Sequence, residues 1–244
     1  MIAIGFSQRV RWEWLDQAAE LKRRGEPDAD LTEHLKGLLG EHLSKGNDPE
    51  RGNRDKAVSI IRKVWVTPAK DLRPLRDAGF HLLSKTKGRP RLAVHWGQVM
   101  AAYPFWGVVA DLVGRLLALH DQVAPAHIQR RLREQFGERE TVARATRRIL
   151  RCFHDWGVLV PGKAKGSYVL PPERLALSPE LSAFLTEALV WSRRGESIPL
   201  GQLANCPALF PFRVDPAGLH LAHDATGVEV FTDTDGAGYL RLHH

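Results

Sequence analysis

Arg144, Arg147, Arg148 and Arg151 stand at i, i+3, i+4 and i+7 within "VARATRRILR". On a helix that spacing projects all four guanidiniums from one side. A guanidinium stays charged at every physiological pH, and its fork of N–H donors matches a guanine edge or a phosphate. The chemistry expected of this row is anion binding. Other candidates surround it: Arg139 and Thr141 at the entering end, Arg130 and Arg133 with Gln129 in the preceding segment, and Lys163 and Lys165 between Gly162 and Gly166 in the following one. With no i+4 carboxylate ladder read beside them, the arginines are expected to form an uncompensated like-charge face. A second basic run, "SKTKGRPR", carries Lys85, Lys87, Arg89 and Arg91 around a Gly and a Pro, and reads either as a solvated turn or as a further phosphate contact.

The distribution of charge supports a polyanion partner. The chain has 244 residues and a formal net charge of +7. Residues 126–170 hold 10 Lys/Arg against 4 Asp/Glu, whereas residues 171–244 hold 5 against 9, so the excess is concentrated and the C-terminal third is acidic. A concentrated basic segment points to a binding face, whereas a solvated surface spreads its charge. Bases stacked on exposed aromatics would mark a single-strand binder. Here Phe136, Phe153 and Trp156 fall on apolar stripes, which leaves Tyr168 alone for stacking and favours duplex DNA.

Motifs of catalysis do not appear. The 11 histidines form no HExxH, and GxSxG, Walker-type and GxGxxG patterns are missing. Cys152 and Cys206 form neither a C-x-x-C pair nor a zinc-ligand spacing, so no disulfide framework, metal or cofactor is expected and a reducing cytoplasm fits. "FTDTDGAGYL" has the D-x-D-G start of a calcium loop without the carboxylate at its twelfth position, and reads better as hairpin turn chemistry between "GVEVF" and "YLRLH". The N-terminus "MIAIGFSQRVRWEW" places its apolar residues before its arginines, the reverse of a signal peptide. The most apolar stretch, "FWGVVADLVGRLLAL", is too short and too charged to span a bilayer and reads as a core helix.

These residues need elements to position them. The composition is that of a globular chain, 43% hydrophobic and 26% charged, with room for two or three subdomains. Residues 1–104 read as a helical subdomain of about five helices. The first places Trp12 or Leu15, Ala18 or Ala19, and Leu21 on one side; the next are "DADLTEHLKGLLGEHLSKG", "RDKAVSIIRKVWV", "LRPLRDAGFHLLSK" and "RLAVHWGQVMAAYP", with "NDPERGN" as a loop. Residues 105–170 divide into helices over 105–120, 125–136 and 138–156, the last two ended by Gly137 and Gly157, then strands at "VLV" and "SYVL" around "PGKAKG". Residues 171–244 read as a small acidic α+β module with a helix capped by Ser178. The expected class is mainly α with a small α+β C-terminal part.

Helix, helix, helix, strand, turn, strand is the order of the winged helix-turn-helix, and residues 105–170 resemble that family. The resemblance implies a third helix in the major groove and a hairpin on the flanking backbone. More distantly, "RDKAVSIIRKVWV", "VARATRRIL" and "WGVLV" resemble the small inner protein of bacterial BREX phage-exclusion systems. That likeness implies a non-enzymatic duplex-DNA binder in a multi-protein defence complex; it covers at most residues 50–170 and does not account for the acidic module, whose expected jobs are dimerisation or docking other protein components. The alternatives are a stand-alone winged-helix transcriptional regulator and a scaffold that uses the same domain for protein contacts. Oligomeric state and base preference are left open.

Overall fold

The computed structural model describes residues 2–43, 52–194, 196–218 and 227–243. Most of "NDPERGN" and the histidine-bearing "HLAHD" lie outside them. The chain is mainly helical, with small sheets in its C-terminal part. Helix α1 (Trp12–Arg23) sends Trp14, Leu15, Ala18 and Ala19 inward, and α2 (Asp28–Gly40) sends Leu31, Leu35 and Leu39. Helix α3 (Asn53–Ile61) continues into a π-helical turn over Arg62–Val66, and the widened turn buries the consecutive Val64, Trp65 and Val66. Helix α4 (Arg73–Lys85) leads into α5 (Arg91–Ala102), buried from Leu92 to Ala102 on every side. The polar His95 and Gln98 are buried with the rest, His95 hydrogen-bonded to Asp16 and Gln98 to the Val64 carbonyl.

Helix α6 (Pro104–Leu119) leaves α5 at a bend of 118°. No single helix among the described residues is long and apolar enough to cross a membrane. Helices α7 (Pro125–Phe136) and α8 (Glu140–Asp155) follow, with strands β1 (Val160–Pro161) and β2 (Tyr168–Val169) paired antiparallel. Next come β3 (Leu175–Ala176), α9 (Pro179–Arg193), β4 (Ile198–Pro199), the short α10 (Leu200–Leu203), β5 (Phe212–Arg213), β6 (Val228–Thr232) and β7 (Gly238–Leu242). Strand β3 pairs parallel with β5, and β7 lies between β4 and β6. Ser178 caps α9 by accepting from the Leu181 amide. The β6–β7 turn is held by the Asp233 carboxylate, which accepts from the amides of Asp235 and Ala237.

One core runs through all three expected segments. Trp96 of α5 lies 4.8 to 6.2 Å, centroid to centroid, from Trp106 of α6, Phe153 at the end of α8, Trp156 just beyond it, and Phe210 and Phe212 of the C-terminal third. Its indole N–H donates to the Ala208 carbonyl at 3.3 Å. Two glycines permit the close approach. A Cβ on Gly97 would stand 2.8 Å from the Phe184 ring of α9, and one on Gly114 would run into the Pro207 carbonyl. The acidic third is therefore docked through α9 and residues 207–212 rather than hung from a linker.

Candidate nucleic-acid interface

Helix α8 presents two faces because its residues alternate at helical spacing. Val142, Ala145, Ile149, Cys152 and Phe153 are buried, and Arg144, Arg147, Arg148 and Arg151 are exposed on the other side. Thr146, inside the helix, returns its hydroxyl to the Val142 carbonyl at 2.8 Å. Left-handed Gly137 (φ 89°) and Gly157 (φ 65°) bound the element and turn the chain sharply at either end.

The arginine row is compensated, contrary to the expectation from sequence. Glu140, in the first turn, accepts from Arg144 Nε at 3.0 Å and from an Arg147 terminal nitrogen at 3.2 Å. The hydrogen bond from Arg144, followed by the charges of Arg144 and Arg147, holds the Glu140 carboxyl below its ordinary 4.5. At the other end Asp155 lies 3.7 Å from Arg151, 3.3 Å from Arg9 and 3.6 Å from the His154 ring. The arginines reach these acids because long helical side chains lean along the axis to neighbours three, four and seven residues away. Arg148 alone in the row has no carboxylate partner among the described residues.

The flanks of this face come from distant parts of the chain. On one side, Tyr168 of β2 packs its ring 5.8 Å from His154. The hairpin is fastened by Val123, whose amide and carbonyl pair with those of Tyr168 at 2.9 and 2.8 Å, and by Gln122, whose side-chain oxygen accepts from the Ala164 amide and the Ser167 hydroxyl. Lys163 and Lys165 at its tip are exposed and unpaired among the described residues, with Gly166 in the left-handed region. On the other side, residues 8–10 run along α8. The Val10 amide donates to Cys152 Sγ, and the Val10 carbonyl accepts from the Trp156 indole at 2.8 Å. Gln8, Arg9 and Asn53 thus face the arginines across a cleft of about 650 Å³.

The remaining candidates are more scattered. Arg130 and Arg133 lie at ion-pair distance from Glu134 and Glu138, and Arg139 donates to the Phe136 carbonyl at 3.0 Å, which fixes the α7–α8 turn. Thr141 is exposed beside Glu140. The loop with Lys85 and Lys87 docks at the far end of α8, where Arg89 donates to the Gly157 carbonyl at 3.1 Å. Since 16 residues of helix span about 24 Å, that loop lies well away from Arg144. Gln8, Arg9 and Asn53 were not foreseen: nothing in sequence spacing joins residue 9 to residue 155.

Among the described residues no group of three His, Cys, Asp or Glu is placed to hold a metal. Burial pushes the Cys152 thiol up to about 12, so it is neither nucleophile nor ligand at neutral pH. Comparison with family models, curated proteins and solved structures finds no match to this chain.

Proposed function

We propose that α6, α7, α8 and the β1–β2 hairpin work as a winged helix that binds duplex DNA without catalysing a reaction on it, α8 entering the major groove and the hairpin resting on flanking phosphates. The observation that carries this reading is the exposed arginine face of α8 standing beside a hairpin whose two tip lysines are unpaired among the described residues. Supporting it, the Val123–Tyr168 bridge ties the hairpin back to the entry of α7. The tip is thereby carried on a fixed strand, as backbone contact requires.

The test is duplex binding followed against salt. With about five phosphates neutralised, log affinity should fall against log salt with a slope of about −4 to −5, and single strands should bind more weakly. No binding to duplex at low salt would remove the reading. Plasmid left intact with Mg²⁺ or Mn²⁺ is the outcome expected of a non-enzymatic binder. A solution dimer with a palindromic footprint would instead favour a transcriptional regulator. A place in a phage-exclusion complex follows only from the resemblance, and co-purification from the native host tests it. Helix α9 is buried against α5, and the half-buried strands β6 and β7 of the C-terminal sheet offer one surface for a protein partner.

A further inference from the structure

We propose that the cleft between α8 and residues 8–9 is a phosphate-binding site, and that it holds the backbone of one DNA strand when duplex is docked on α8. The second part rests on the DNA reading above. Arg9, Arg144, Arg147, Arg148 and Arg151 line the cleft, and among the described residues the carboxylates paired with them are Glu140 and Asp155, so three of these five guanidiniums are in excess over those two acids.

The opposite wall presents donors. Gln8 is buried, and both ends of its amide are in use: the oxygen accepts from the Arg9 amide at 2.8 Å, and the nitrogen donates to Asn53 Oδ1 at 2.7 Å. This consumes the acceptor of Asn53 and leaves its NH₂ group without a partner among the described residues. Arg9 is steadied from beneath through Nε by Asp155, which leaves its terminal nitrogens for a ligand. Asn53 also opens α3, whose free amides and dipole favour an anion. Cys152 lies below, where Arg9 and Arg148 both act on its thiol; burial keeps it protonated, so no thiolate opposes an incoming anion.

The lining narrows the ligand class. Among the described residues no aromatic ring lines the cleft, which gives a base or nucleoside no platform to stack on there. At about 650 Å³ it is larger than one phosphate requires and suits a run of phosphates. Arg148 is thereby assigned to the backbone rather than to base edges.

Two arms test this. In the first, Arg148→Ala and Arg9→Ala/Arg148→Ala are titrated with a duplex and with a scrambled duplex across salt. Affinity should fall by the same factor for both sequences, and the salt slope should become shallower by about 0.9 for the single variant and about 1.8 for the double. Unchanged slopes would overturn the strand assignment. In the second, inorganic tripolyphosphate is titrated by calorimetry. The wild type and Arg148→Lys should bind it, and Arg148→Ala should bind roughly tenfold more weakly. No binding by the wild type, or equal binding by Arg148→Ala, would overturn the site itself. Arg148 has no ion-pair partner among the described residues, so an unchanged melting temperature is expected of Arg148→Ala. Tripolyphosphate binding without duplex binding would overturn the DNA reading and the strand assignment together, and keep the cleft as a site for a free polyphosphate.

Discussion

Arg144 and Arg148 stand one turn apart on α8 and differ in what holds them. Arg144 is bonded to Glu140, whereas Arg148 has no carboxylate in reach among the described residues. Glu140 therefore competes with phosphate for Arg144 and Arg147, while its negative charge favours the helix start where it sits. Glu140→Gln should remove the one repelling charge that Arg144 and Arg147 share, raising duplex affinity at low salt and steepening the salt slope by about 0.9. Anisotropy titrations of the two proteins check this; a weaker-binding variant would mean that Glu140 instead fixes the arginines in their binding pose. The pairing was legible in part. Glu140–Arg144 and Arg151–Asp155 are i, i+4 pairs in the sequence itself, and reading the arginines as one uncompensated row passed over both. The approach of Arg9 to Asp155 was not legible, because the contact depends on how residues 8–10 lie along the helix.

At the scale of elements, the local stops fixed the boundaries. Pro125, Gly137 and Gly157 delimit α7 and α8 as expected, since proline presets the first turn and glycine accepts the left-handed backbone that ends one. The strands were harder to read: Val123 is one residue inside a loop, and its pairing with Tyr168 comes from long-range hydrogen bonds rather than from alternation. Those bonds make the hairpin a rigid flank. Lys163→Ala/Lys165→Ala should leave the fold and any sequence preference unchanged and make the salt slope shallower by about 1.8. Loss of sequence preference in this variant would mean that the tip reads bases. Gly114 illustrates an element held by close approach. Gly114→Ala must push α6 off the Pro207 backbone, and should lower the melting temperature where an alanine in an exposed helix would raise it.

Across the whole molecule, the tryptophan cluster makes the arginine face dependent on the C-terminal third. Trp96, fully buried, touches α6, α8 and residues 208–212, so Trp96→Ala should cost about 3–5 kcal/mol in a single cooperative transition. The three expected segments were drawn from the order of elements and the distribution of charge, which do not register a helix buried between them; the mostly apolar or small run Leu92–Ala102 was the signal available. A buried pair beside α5 sets an acid response. Burial pushes His95 below its ordinary 6.5 despite Asp16 at 2.8 Å, and burial's upward pull on Asp16 is outweighed by hydrogen bonds from His95 and Arg91, which leave it below 3.8. Both folded values are depressed, so the unfolded chain binds the extra proton. Stability is then complete above about pH 6.5 and falls as the solution is acidified, His95 first and Asp16 below about pH 3.8, by at most about 1.4 kcal/mol per pH unit for each proton. Melting curves from pH 7.5 to 5.5 should show the first loss, and His95→Gln should flatten it. The most direct measurement remains duplex binding by the wild type and by Arg144→Ala/Arg147→Ala/Arg148→Ala over a range of salt. The variant should bind roughly a hundredfold more weakly at low salt, with a slope shallower by about 2.7. Equal affinity and equal slope for the two proteins would contradict the assignment of α8 as the DNA-binding helix.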